Sequence, residues 1–167
     1  MFKRILMITA TVVCLAASAL PALATEKAPL DTAALKGVKS GKGFFDINSG
    51  APEYLPLYLS VIKETYTGLK AQGVKPDLVI AFRGKAVKLV SSARANLTPE
   101  QKEALNQSDA LIKELSGMGV KFEVCAIATR LFGVENNSIL PQVKLVGNTF
   151  ISSIGYQSKG YALIPIM

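Results

Sequence analysis

The sequence predicts an α/β domain, with a mainly parallel five-stranded sheet covered by helices on both faces. Three observations carry that expectation. Short apolar runs alternate with stretches of helical period, and strands joined through helices need crossover connections. The run Asp77 to Phe82 is apolar at every position after its first, which suits a strand buried on both faces. Thr98-Pro99-Glu100-Gln101 sets a Thr cap, a first-turn Pro and a third-position Gln ahead of an apolar-periodic stretch, a well-formed helix start.

The chain opens with Lys3 and Arg4, continues through an uncharged, mostly apolar run from Ile5 to Ala19, and reaches Ala22-Leu23-Ala24. That layout predicts a secretory signal over residues 1–24, cleaved after Ala24. A retained anchor is the alternative, but the run is shorter than the ~20 residues a span needs, and Pro21 follows it. The mature protein is then expected in the periplasm or secreted, starting at Thr25 and free of the membrane. Residues 25–41 are polar and alanine-rich without a clear period, and read as a flexible arm. The ordered domain is expected over residues 42–167.

Within it, Gly43 to Ile47 reads as a first strand, ended by the turn-prone Asn48-Ser49-Gly50. A helix runs from Pro52 or Pro56 to Gln72, with Leu55, Leu59, Ile62, Tyr66 and Leu69 on one face, and Gly73 closes it. The second strand, Asp77 to Phe82, stops at Arg83-Gly84, and a short helix over Lys85 to Ala93 follows. The Thr98-capped helix turns Leu105, Ile112, Leu115 and Met118 to the sheet and ends at Gly117 and Gly119. Val120 to Val124 is the third strand, Ala126 to Phe132 a short helix halted by Gly133, and Val143 to Val146 the fourth strand. Asn148 can cap a final helix with Phe150, Ile151 and Ile154 facing inward and Gly160 at its end. Tyr161 to Ile166 is the last strand.

The chain carries a formal net charge of +7, to which Lys3 and Arg4 contribute. The basic residues are scattered and form no stripe interleaved with aromatics, so no nucleic-acid partner is expected. There are two cysteines and no histidine. Without histidine, Ser-His-Asp and Cys-His catalysis and histidine-based metal sites are excluded, and no metal or cofactor is expected. An exported chain with two cysteines usually forms a disulfide. Here Cys14 lies inside the signal and leaves with it, because Val12-Val13 stand where a lipoprotein site needs small residues. Cys125 is left without an intramolecular partner. It is a buried inert thiol, a site of intermolecular pairing, or a reactive group.

In an open parallel sheet, reactive groups collect at the carboxyl ends of the strands. Cys125 falls where a strand meets a helix, and the unpaired amides of a helix N-terminus favour a thiolate. The opposing reading is a small apolar residue on a buried strand. Arg83 and Lys85, at a neighbouring strand end, either stabilise a thiolate or an anion or are ordinary surface charges beside a turn glycine. Asn48, in Asn48-Ser49-Gly50, offers a weak anion nest. Asp46 reads as a proton acceptor or, in the plainer alternative, as a helix cap. Leu131, Phe132, Ile139 and Leu140 supply more apolar surface after Cys125 than one small helix can bury, which predicts contact with a second copy.

Three segments make the chain recognisable. Gly119-Val120-Lys121-Phe122-Glu123-Val124-Cys125 with Gly133 eight residues later resembles the cysteine signature of the DsrE/DsrF family, which includes the TusD-type sulfur-relay proteins. Leu78 to Gly84 with Ala86-Val87 is similar to that family's second-strand segment, and Gly155 to Ala162 to its closing Gln-x-x-Gly-Tyr segment. The resemblance spans Lys42 to Met167. It implies a three-layer α/β/α sandwich with a five-stranded parallel sheet, assembly into trimers or hexamers, and a role in sulfur metabolism. In relay members the matching cysteine accepts a sulfane sulfur as a persulfide and passes it on, which here falls to Cys125, with donor and acceptor proteins as partners. Arg83 stands where related sequences often carry histidine, and relay members work inside the cell, so the fold carries over further than the relay role. The alternative function is a non-catalytic oligomeric binding module for a small anion or a protein segment.

Overall fold

Strand pairing organises the molecule. In the computed structural model, which describes residues 29–167, β1 (Ser40–Ile47), β2 (Lys75–Phe82), β3 (Lys121–Cys125), β4 (Val143–Val146) and β5 (Ala162–Ile166) form one sheet. Their order is β4-β3-β2-β1-β5 and every pairing is parallel. The expected signal segment and Cys14 lie outside the described residues.

The connections explain the layers. The chain steps from β1 to β4 in one direction across the sheet, then returns from β4 to the far side of β1. Right-handed crossovers therefore place the first connections on one face and the last on the other. On the first face lie α2 (Leu55–Ala71), entered through a 3-10 turn at Pro52–Tyr54, and α3 (Pro99–Gly117). Leu59 and Ile62 of α2 and Leu105, Ile112 and Leu115 of α3 are buried against Phe45, Ile80, Phe82 and Val124 of the sheet. Successive strand residues point to opposite faces, so Phe44, Val79 and Ala81 form a smaller cluster on the second face with Tyr161. There the covering helix is α5 (Thr149–Ser158), whose Tyr156 packs on that cluster.

The α3 start is a complete capping box: Thr98 Oγ1 accepts from the Gln101 amide at 3.3 Å and Gln101 Oε1 accepts from the Thr98 amide at 3.2 Å. Gly73 closes α2 with a φ of +77°. No described helix is long and apolar enough to cross a membrane.

Several details differ from expectation. The strand after the arm begins at Ser40, and the described part of the arm holds a single helical turn, α1 (Thr32–Leu35), where the Asp31 amide donates to Gln72 Oε1 at 2.8 Å. The stretch expected as a helix from Lys85 to Ala93 is a 3-10 helix over Gly84–Val90.

The largest difference concerns α5. Asn148 caps it as expected, its Oδ1 accepting from the Phe150 amide at 2.9 Å. Phe150, Ile151 and Ile154, expected inward, are 60 %, 69 % and 65 % exposed. The side of α5 that meets the sheet is instead the one carrying Tyr156, which packs on Phe44, Val79, Ala81 and Tyr161. Tyr156 O–H donates to Glu123 Oε1 at 3.1 Å, and half-buried Ser152 and Ser153 share that side. A 100° step per residue then turns Phe150, Ile151 and Ile154 outward. The patch expected after Cys125 is likewise smaller: Leu131 is 70 % exposed, whereas Phe132, Ile139 and Leu140 pack against the core.

Candidate functional site

The chain leaves β3 through α4 (Ala126–Leu131), whose Ala128 joins the first-face core, and leaves neighbouring β4 through Gly147-Asn148 into α5 on the second face. Adjacent strands whose exits part to opposite faces leave a crevice at their carboxyl ends. Cys125, the last residue of β3, sits at the floor of that crevice and is 5 % exposed. The cleft above it measures about 280 Å³, and its walls include Arg83, Leu131, Phe132, Asn148, Thr149 and Phe150. A larger depression of about 550 Å³ shares Phe132 but does not reach Cys125.

Local backbone geometry sets the electrostatics. Cys125 holds the N-cap position of α4 with extended φ and ψ of −78° and 116°, and its sulfur makes no conventional capping hydrogen bond there. Asn148 Oδ1 engages the Phe150 amide, which leaves the Thr149 amide turned toward the thiol. Burial pushes the Cys125 thiol up; the Thr149 and Ala128 amides, the Thr149 hydroxyl and the Ile127 amide more than offset this and hold it below the ordinary thiol value. These groups act as a field of donors that strengthens when the sulfur becomes anionic. Thr149 is 2 % exposed, and its Oγ1 has no hydrogen-bond partner among the described residues. A buried orphan hydroxyl costs free energy, and a thiolate at Cys125 would give it an acceptor.

Arg83 reaches the same cleft, but its guanidinium is engaged. Nε lies 2.7 Å from Asp46 Oδ1 and Nη2 lies 2.8 Å from Asp46 Oδ2, a two-point pairing. The guanidinium carbon stands 5.4 Å from the centre of the Phe150 ring. Asp46 is thus the partner of Arg83, in place of the proton acceptor or helix cap read from sequence. Lys85 is exposed and does not border the cleft. Asn48 sets its Oδ1 against Gly84 and does not line the cleft. The structure brings Arg83 and Cys125 together and leaves Lys85 and Asn48 apart from them. Thr149 and Phe150 were missed as site residues. The Asn148 cap places Thr149 at the end of β4, but only the strand order, with β4 beside β3, brings it to Cys125.

The sequence pattern that defines the DsrE/DsrF-like family matches residues 42–166. The chain belongs to the DsrE/DsrF-like family. A curated protein of Aquifex aeolicus is 27% identical over 125 residues, which is 74% of this chain and 55% of that protein, so this chain spans about half its relative's length. Among solved structures, MTH1491 of Methanobacterium thermoautotrophicum, a protein of unknown function, matches with a TM-score of 0.59 and 19% identity over 76% of this chain and 100% of its own. The ychN protein of Escherichia coli matches with a TM-score of 0.49 and 14% identity over 75% of this chain and 99% of its own. The likeness to MTH1491 bears on the fold alone, and it agrees with the all-parallel sheet of this DsrE/DsrF-like domain.

Proposed function

We propose that this DsrE/DsrF-like protein, exported under its N-terminal signal, accepts a sulfane sulfur on Cys125 and relays it to an acceptor protein. The observation that carries the reading is the thiol at the floor of a cleft, ringed by the Thr149, Ala128 and Ile127 amides and by a Thr149 hydroxyl without a partner among the described residues. The Cys125 thiolate attacks the sulfane sulfur of a donor. A new S–S bond forms on Cys125, the donor's S–S bond breaks, and the electron pair departs with the donor's thiolate. An acceptor thiolate then attacks the outer sulfur and returns Cys125 to its thiolate. Neither step needs a histidine base, because nucleophile and leaving group are both anions. The outward apolar face of α5 beside the cleft supports function as a trimer or hexamer.

A second reading, a non-catalytic binding module, is favoured by the low exposure of Cys125. Alkylation kinetics separate the two. With iodoacetamide, the folded protein is expected to react along a pH profile whose inflection lies below the free-thiol value of about 8.5. Thr149→Val should move the inflection upward by removing one donor. The lowered folded value also means that Cys125 adds stability in full above its unfolded value, and that this is lost as pH falls through the folded value. Urea midpoints of wild type and Cys125→Ser should therefore diverge as pH rises. A thiol silent until the chain unfolds would establish the binding module instead.

A further inference from the structure

The charges around Cys125 restrict what can deliver the sulfur, an argument that rests on the persulfide reading above. Sulfane donors fall into two chemical classes: anions, such as thiosulfate and carboxylate-bearing persulfides, and uncharged species, such as elemental-sulfur rings and dialkyl polysulfides. The ionisable side chains bordering the cleft are those of Arg83 and Cys125. Arg83 is held at two points by Asp46, the pair is mostly buried, and together they present no net charge. The Phe150 ring lies against the guanidinium. Lys85 stands outside the cleft. The donors that remain, three amides and the buried Thr149 hydroxyl, are turned to the sulfur itself. The other walls, Ile127, Ala128, Leu131 and Phe132, are apolar. An anionic donor here would meet a thiolate at close range with no free cation among the described residues of the cleft to offset the repulsion, in surroundings that screen charge poorly.

We infer that this cleft selects an uncharged sulfane donor, an elemental-sulfur ring or a dialkyl polysulfide, over an anionic one. In the capture step one sulfur of the donor's S–S bond joins Cys125. That sulfur keeps its attached chain, so Cys125 is left as a mixed polysulfide, and the other sulfur takes the electron pair, leaving as an alkyl thiolate or alkyl persulfide anion or, for a ring, remaining attached as the charged chain end. Charge moves outward from the floor of the cleft as the bond forms.

Paired alkylation of the full-length processed protein tests this. Iodoacetamide and iodoacetate have nearly the same size and differ in charge. Relative to the same protein unfolded in urea, folded wild type should favour iodoacetamide by about tenfold, or about 1.4 kcal/mol. Asp46→Asn frees the Arg83 cation and should raise the iodoacetate rate toward the iodoacetamide rate, with circular dichroism checking the fold. If that variant unfolds, wild type offered a dialkyl tetrasulfide or thiosulfate decides, with the tetrasulfide expected to load Cys125 and thiosulfate not. Equal rates, or a preference for iodoacetate or thiosulfate, would overturn this inference alone. Failure of every reagent to reach Cys125 in the folded state would overturn the persulfide reading, and this inference with it.

Discussion

Placing aspartate at both Ile151 and Ile154 is expected to hold the protein monomeric without unfolding it, on the proposal that the outward face of α5 joins subunits. Both side chains are more than 60 % exposed, and Phe150 and Leu131 beside them are exposed to a similar degree. Contiguous apolar surface of this kind marks an interaction site more often than ordinary surface. Burying each such side chain between subunits contributes about 1.5–3 kcal/mol, whereas burying an unpaired carboxylate costs several kcal/mol. Two such changes on one helical face reverse the sign of association. Light scattering at tens of micromolar, well above the dissociation constants of stable interfaces, should find a trimer or hexamer for wild type and a monomer for the variant. A monomeric wild type would remove the interface.

Gly84→Ala is expected to destabilise the fold by about 3 kcal/mol. Gly84 has a φ of +56°, a left-handed conformation that costs an L-residue about 1–2 kcal/mol. A Cβ there would also run into Asn48 Oδ1. The Asn48 backbone is held, its main-chain N–H donating to Ile166 O at 3.2 Å, so the Asn48 side chain itself must turn aside to admit the Cβ. Since Gly84 borders the Cys125 cleft and follows Arg83, the strain should reach the site as well. Urea unfolding gives the size of the effect; a loss under about 1 kcal/mol would mean that the turn adapts more easily than this geometry allows.

These residues also mark where sequence reasoning succeeds and where it stops. β2 was legible because its unbroken apolar run can be satisfied only between two covered faces. The α3 start was legible because Thr98, Pro99 and Gln101 interact across a few residues of chain. Cys125 was legible as a strand-to-helix junction for the same local reason. The Arg83–Asp46 pair was not, since the two residues lie 37 apart and meet only once β1 and β2 adopt their register of Asp46 opposite Ala81. Arg83 then lies two residues beyond Ala81, on the same face as Asp46. The facing of α5 failed for a different reason. Periodicity shows that Phe150, Ile151 and Ile154 share a side but not what that side meets, and Tyr156, packed on the Phe44 cluster and bonded to Glu123, turns the opposite side of the helix to the sheet. Thr149 depended on the β4 return path, which brings the α5 N-terminus against the end of β3.

Mass spectrometry of the intact folded protein after exposure to colloidal elemental sulfur shows whether Cys125 accepts sulfur in the folded state. A reductant-reversible gain of sulfur atoms is expected, confined to the peptide containing Cys125 and absent from Cys125→Ser. A wild-type chain that gains no sulfur while folded, and does so only once urea has exposed the thiol, would contradict the sulfur-acceptor reading.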